Sequence, residues 1–329
     1  MFGATGEQKK AVECIEKALK IALDNGYLEV AGRAYNNLAV HLPAEENERA
    51  LECYEKGFEL AKKAGHIQGI SWFEGQLATR YFGMGNSDKA IALAEEAEVL
   101  NRKTGNLFNL SSSTLYLGAF YHALGEWNKG EQYLKEGLSI SLRTNNTQFI
   151  SMSYGALGFC YYDRGEYAKA KEYFEKMSDT LEKAGAKAQV SNSQWIAMNC
   201  IELGEINKAR TLLDDMHKYA HEKQYKQLIA DENATRAMLL RAEKKWNESI
   251  ELFEKSLQEY EGLGARQWNV YFLAKYILFE YARAYLERNQ EGDREKADKL
   301  LNQALEIYQK MGAKKDIEKI IAKKKLLTA

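Results

Sequence analysis

Proline is almost missing from this chain: there is one, Pro43, in 329 residues. Proline removes a backbone donor and clashes inside helices, so its scarcity suits a chain that is nearly all helix, with Pro43 falling at a turn. No apolar run approaches the roughly 18 residues of a membrane-spanning helix, and none is expected. The opening, MFGATGEQKK, has no basic stretch followed by an apolar one, unlike a secretory leader. Charge of one sign is also missing: 46 basic and 47 acidic side chains leave a net −1. A protein held to nucleic acid by phosphate contacts is expected to be far more basic. Cysteine occurs only at positions 14, 53, 160 and 200, with no CxxC spacing, so disulfides are not expected and a reducing cytoplasm fits. No phosphate loop of the form GxxxxGKS or GxxxxGKT is present.

What is there is a recurrence. Residues 158–177, GFCYYDRGEYAKAKEYFEKM, echo residues 118–137, GAFYHALGEWNKGEQYLKEG. A small-x-x-x-bulky-x-x-small pattern runs through the chain with first positions at 11, 50, 90, 130, 170, 209, 249 and 297. The spacings are 39, 40, 40, 40, 39, 40 and 48 residues. A fixed period of this size marks a helical solenoid, in which each unit buries its apolar face only against its neighbours. A length that would otherwise suggest two domains is then one continuous array.

Turn residues keep the same phase. Gly26, Gly65, Gly105, Asn145, Gly185, Gln224, Gly264 and Gly312 each fall fifteen residues after a first small position. Glycine or asparagine there ends a helix in the left-handed conformation. Gly85, Gly125, Gly165 and Gly292 stand five residues before a first small position, at the turn inside a unit. The small residues have a packing reason: helices approaching to about 8 Å need Gly, Ala or Ser where they cross. In the last unit Ala282 fits the phase only with three residues inserted in 287–293.

These residues resemble the tetratricopeptide repeat. One unit supplies Tyr154, Leu157, Gly158, Tyr161, Gly165, Tyr167, Ala170 and Phe174; another supplies Leu117, Gly118, Tyr121, Gly125 and Trp127. The period departs from that family's usual 34 residues, and glycine replaces its closing proline. Long units of this kind are similar to the repeat domains of signal-sensing regulators, such as maltose-regulator-type and LuxR-type activators and cyclase-linked ATPases. The resemblance implies an all-α, right-handed α-solenoid of about seven and a half helix-turn-helix repeats over residues 1–312, closed by a C-terminal cap helix at 313–329. That cap, KKDIEKIIAKKKLLTA, sets Ile317, Ile320, Ile321 and Leu327 against a lysine face. The first units begin with a second-type helix alone, at residues 7–25. Two readings stay open: a fragment of a longer protein, or a homodimer through that end.

The family's register places the first helix of each unit on the concave face. The candidate ligand contacts so implied are Tyr35, Trp72, Phe82, His122, Met152, Phe159, Tyr162, Gln194, Asp231 and Arg241, with Tyr276, Phe279 and Arg283 in the last unit. Trp72, Phe82, Phe159 and Tyr162 are expected as apolar anchors; Gln194, Asp231 and Arg241 as orienting polar groups. Aromatics, methionine and arginine are enriched at interfaces. The expected role is a non-catalytic scaffold that binds a peptide or protein segment, without cofactor, nucleic acid or membrane. The alternative is a small-molecule or signal-sensing domain of a larger regulator. No catalytic constellation emerges. His217 and His221 lie four apart with Asp214 a turn earlier, but on a second helix whose outer face is solvated, so no metal is expected there.

Overall fold

A computed structural model of the chain describes residues 6–42, 46–183, 188–262 and 269–328; Pro43, Gly185 and Gly264 lie outside them. Every element among these residues is helical. In chain order they are α1 (Gly6–Asp24), α2 (Leu28–His41), α3 (Asn47–Lys63), α4 (Ile67–Gly83), α5 (Ser87–Thr104) and α6 (Leu107–Ala123). Then come α7 (Trp127–Arg143), α8 (Thr147–Asp163), α9 (Tyr167–Lys183), α10 (Ala188–Glu202), α11 (Ile206–Lys223) and α12 (Lys226–Ala242). The last are α13 (Trp246–Glu261), α14 (Asn269–Phe272), a π-helical stretch Leu273–Leu278, α15 (Phe279–Arg288), α16 (Asp293–Met311) and α17 (Lys314–Thr328). No described helix is long and apolar enough to cross a membrane.

Helix ends sit where the repeat phase puts them. Asn145 and Gln224 both have φ 51°, and Gly26, Gly65, Gly105 and Gly312 at equivalent places are likewise positive. At Gly125 the turn is a Schellman closure: Gly125 N–H bonds His122 O at 2.9 Å and Glu126 N–H bonds Tyr121 O at 2.8 Å. Asn86, Asn106 and Asn146 cap α5, α6 and α8 by accepting from the backbone N–H three residues on.

Packing follows the small residues. A Cβ on Gly130 would stand 2.8 Å from both Gly118 O and His122 N, so α6 and α7 cross backbone to backbone. At the next unit Phe174 fills the notch over Gly158. A tyrosine in α4, α6 and α8 staples each of those first helices to the second helix before it: Tyr81 donates to Glu55 at 2.8 Å, Tyr121 to Glu95 at 2.6 Å and Tyr161 to Glu131 at 2.5 Å. The first helices α4, α6 and α8 touch one another in succession, as α10 touches α12, while successive second helices meet at most marginally. The first helices therefore form the inner layer of the curve.

The curve closes on itself. The Ser87 hydroxyl, at the start of α5, donates to Met311 O at 2.6 Å. Lys310 lies over Gly85 and Lys315 over Gly125. Lys275, in the π-helical stretch, reaches Asp163 at the end of α8. The last helix pair thus latches onto the second, third and fourth pairs. The inserted turn before α16 is itself pinned: Arg288 bonds both oxygens of Asp293, at 2.9 and 2.6 Å. Helix α17 packs on α16 with Ile320 fully buried, Ile317 half-buried and Ile321 exposed; Leu327 lies outside the residues whose side chains are described.

One buried carboxylate is left unsupported. Glu74 in α4 is 6% exposed, and its Oε2 has no hydrogen-bond partner. Burial, with Glu96 nearby, pushes its carboxyl from 4.5 up to about 7. The folded state therefore holds a proton that the unfolded chain releases, and stability falls as pH rises from about 4.5 to about 7. Glu74→Gln is expected to leave the melting temperature nearly unchanged at pH 4.5 and to stabilise by on the order of 2 kcal/mol at pH 8. Thermal melts of both proteins across that range check it; a variant equally or less stable at pH 8 contradicts it.

Candidate functional site

Small residues on the inner layer leave space that large ones do not fill. Ala119 of α6 and Gly155 and Ala156 of α8 face a cavity of about 290 Å³. Trp195 of α10 forms one wall, and Phe272 and Tyr276 of the latching segment form another. Phe159 stands at the centre, edge-on to Trp195 with ring centroids 4.3 Å apart. Phe272 packs at 5.4 Å from Trp195 and 5.6 Å from Tyr276. Met152, 40% exposed, sits at the rim.

The cavity's polar end is an ion cluster. Asp163 Oδ2 takes His122 Nε2 at 2.7 Å and the Lys275 ammonium. Lys275 also donates to Tyr271 Oη at 2.8 Å and lies 3.8 Å from Asp316. Burial works against both charges. The Lys275 ammonium and His122 outweigh it for Asp163, whose carboxyl is held well below the ordinary range. Asp163 and Asp316 outweigh it for Lys275, which is held well above its own. Both charges are thereby locked into structure rather than poised to exchange protons. His122 Nδ1 is buried and has no hydrogen-bond partner.

A second inner-layer cavity, about 450 Å³, lies between α2, α4 and the start of α6. Trp72 lines it and donates from Nε1 to Asn36 Oδ1 at 2.9 Å. Asn109 holds its floor through Gln68 O at 3.0 Å and Ser71 Oγ at 2.9 Å. Half-exposed Phe108 also lines it, 6.2 Å from Trp72 and 5.2 Å from Phe149.

The sequence-predicted residues divide accordingly. His122, Met152, Phe159 and Tyr276 meet at the first cavity and Trp72 lines the second. Tyr162 packs edge-on to Tyr167 at 5.3 Å, beside the cavity rather than in it. Phe82, expected as a groove anchor, is instead fully buried: its ring stacks on Phe120 at 4.4 Å, within the joint core that the latched helices complete. Arg241, expected to orient a ligand, is occupied by Glu280 at 3.0 Å and Glu287 at 2.6 Å. Arg283 joins the same cluster through Glu280, and Phe279 is buried. Asp231 accepts from Tyr260 and Gln227, and burial pushes its carboxyl up to about 6. Gln194 is buried with its Oε1 unpartnered. Tyr35 faces a shallow depression beside Leu23 and Leu60, between α1 and α3. Trp195, Phe272, Phe108 and Lys275 were not anticipated. Trp195 follows Gln194 directly, so counting both inner positions of that helical turn would have found it.

Comparison with known proteins agrees with this architecture. The family profile described as tetratricopeptide repeat matches residues 110–183. No curated protein matches the chain in sequence. Among solved structures, a Rap protein complexed with competence and sporulation factor is similar over 85% of this chain and 76% of its own, at 15% identity and a TM-score of 0.69. The Rap conjugation gene regulator of plasmid pLS20, in complex with the Phr* peptide, is similar over 86% of this chain and 77% of its own, at 14% identity and 0.69. Aspartyl phosphate phosphatase F from Bacillus subtilis is similar over 89% and 75%, at 14% identity and 0.60. The chain is thus an all-α solenoid with the tetratricopeptide-repeat fold, and residues 110–183 match that family's own pattern.

Proposed function

We propose that the chain is a non-catalytic scaffold that binds an extended polypeptide segment along its inner layer. The cavity around Phe159 carries this reading: an aromatic and methionine-lined space with an exposed rim residue, Met152. Such a site takes one bulky apolar side chain. Trp72 and Phe108 give the second cavity an aromatic lining of its own. Two of the similar structures are Rap proteins held with a peptide or factor, which supports the same use of the fold.

Peptide display against the purified chain tests it. Selected sequences are expected to share a bulky apolar residue, and Trp72→Ala with Phe159→Ala is expected to weaken their binding by at least about tenfold while the helical circular dichroism persists. Unchanged affinity in that double variant sinks the reading. The enclosure of the cavity by Phe272 and Tyr276 favours a second one, a small-molecule sensor. Native mass spectrometry separates them: a retained mass of a few hundred daltons marks the sensor, a co-purifying polypeptide the scaffold.

A further inference from the structure

Away from the inner layer, α11 and α12 bring together three groups that the peptide-binding reading does not use. His217 and His221 are one helical turn apart on α11, both exposed, with ring centroids 4.1 Å apart. Glu232 comes from α12 with its side chain 1% exposed, and its Oε2 lies 3.2 Å from His217 Nδ1. One donor atom from each of the three falls within 4.8 Å of the others.

We propose that His217, His221 and Glu232 bind a divalent cation of the zinc class, which ties α11 to α12. Three observations carry it. Histidines at i and i+4 present their rings on one helix face, the spacing that chelates zinc. Ligand bonds of roughly 2.0–2.1 Å at tetrahedral angles place neighbouring donors about 3.3–3.4 Å apart, close to the separation of His217 and Glu232. The third ligand is already oriented: Glu232 Oε1 is held by Arg236, and Arg236 is itself balanced by Asp214 at 3.0 Å. A carboxylate fixed by an outer partner is the usual support of a metal ligand. The two exposed imidazoles leave the fourth position facing solvent, where water completes the shell. Local charge favours entry, since two carboxylates face one guanidinium.

The test uses the full chain without an affinity tag, stripped by chelator, in a Cys14→Ser background because that exposed thiol would compete for zinc. Titration calorimetry with zinc chloride is expected to show one equivalent bound in the micromolar range or tighter. His221→Ala, which removes an exposed ring, is expected to weaken it by at least about tenfold, with the circular dichroism unchanged. Cobalt in place of zinc is expected to give the intense visible absorption of tetrahedral coordination, lost in His217→Ala. No binding, or one equivalent bound equally well by His221→Ala, overturns the assignment.

Discussion

Asp163→Ala is expected to destabilise the chain by about 3–5 kcal/mol. The substitution leaves Lys275 only 8% exposed in its side chain, with Asp316 at 3.8 Å as its remaining counter-charge. It also frees His122 Nε2 inside the core. The cost arises from the stranded charge, not from the worth of the pair. Asp163→Asn combined with Lys275→Met is therefore expected to recover most of the loss. Urea melts of the single and combined variants check this, and a single variant as stable as the parent contradicts it. The pH window follows from the two directions. Asp163 is lowered, so its contribution is present above the ordinary aspartate value of 3.8 and is lost as pH falls through the folded value. Lys275 is raised, so its contribution is complete below 10.5 and is lost as pH rises through the folded value. Between those limits both Asp163 and Lys275 carry their charges.

Gly130→Ala is expected to cost about 3 kcal/mol, even after the roughly 1 kcal/mol that alanine gains in helix propensity. The new methyl meets two backbone atoms of α6, Gly118 O and His122 N, each at 2.8 Å. Backbone in the middle of a helix cannot swing aside, so α6 and α7 must separate. Gly75→Ala supplies the contrast. Its methyl meets only the Tyr116 ring, at 3.5 Å, an ordinary contact. That variant is expected to be neutral or slightly stabilising. Thermal melts of the two decide whether close crossing or mere size sets the repeat's small positions; equal melting temperatures would remove the backbone argument.

The repeat was legible because it is local grammar. Left-handed residues at Asn145 and Gln224, and small residues at Gly118 and Gly130, are fixed by neighbours within about one unit. The closure was not legible, because it accumulates from small rotations between successive units. Asp163 and Lys275 stand 112 residues apart, and nothing near either names the other. The sequence did mark the unit concerned: its spacing is 48 residues where others are 39 or 40, and the π-helical stretch Leu273–Leu278 lies there. The site was read in part for the same reason. Trp72, His122, Met152 and Phe159 follow from the register that the family resemblance implies for the inner layer. Phe82 is covered by Phe120 of the next unit, Arg241 is taken up by Glu280 and Glu287 of the last, and Phe272 arrived with that last pair.

The latch also sets an order of events during synthesis. Nearest-neighbour pairs can fold as they leave the ribosome, but Asp163 is made 112 residues before Lys275. At about 5–20 residues per second, that is a delay of roughly 6–20 s. Throughout it the aromatic cavity has Phe159 and, later, Trp195, but not the wall of Phe272 and Tyr276. A nascent chain therefore passes through a state with its inner face uncovered, and a segment that arrives then meets no wall to displace.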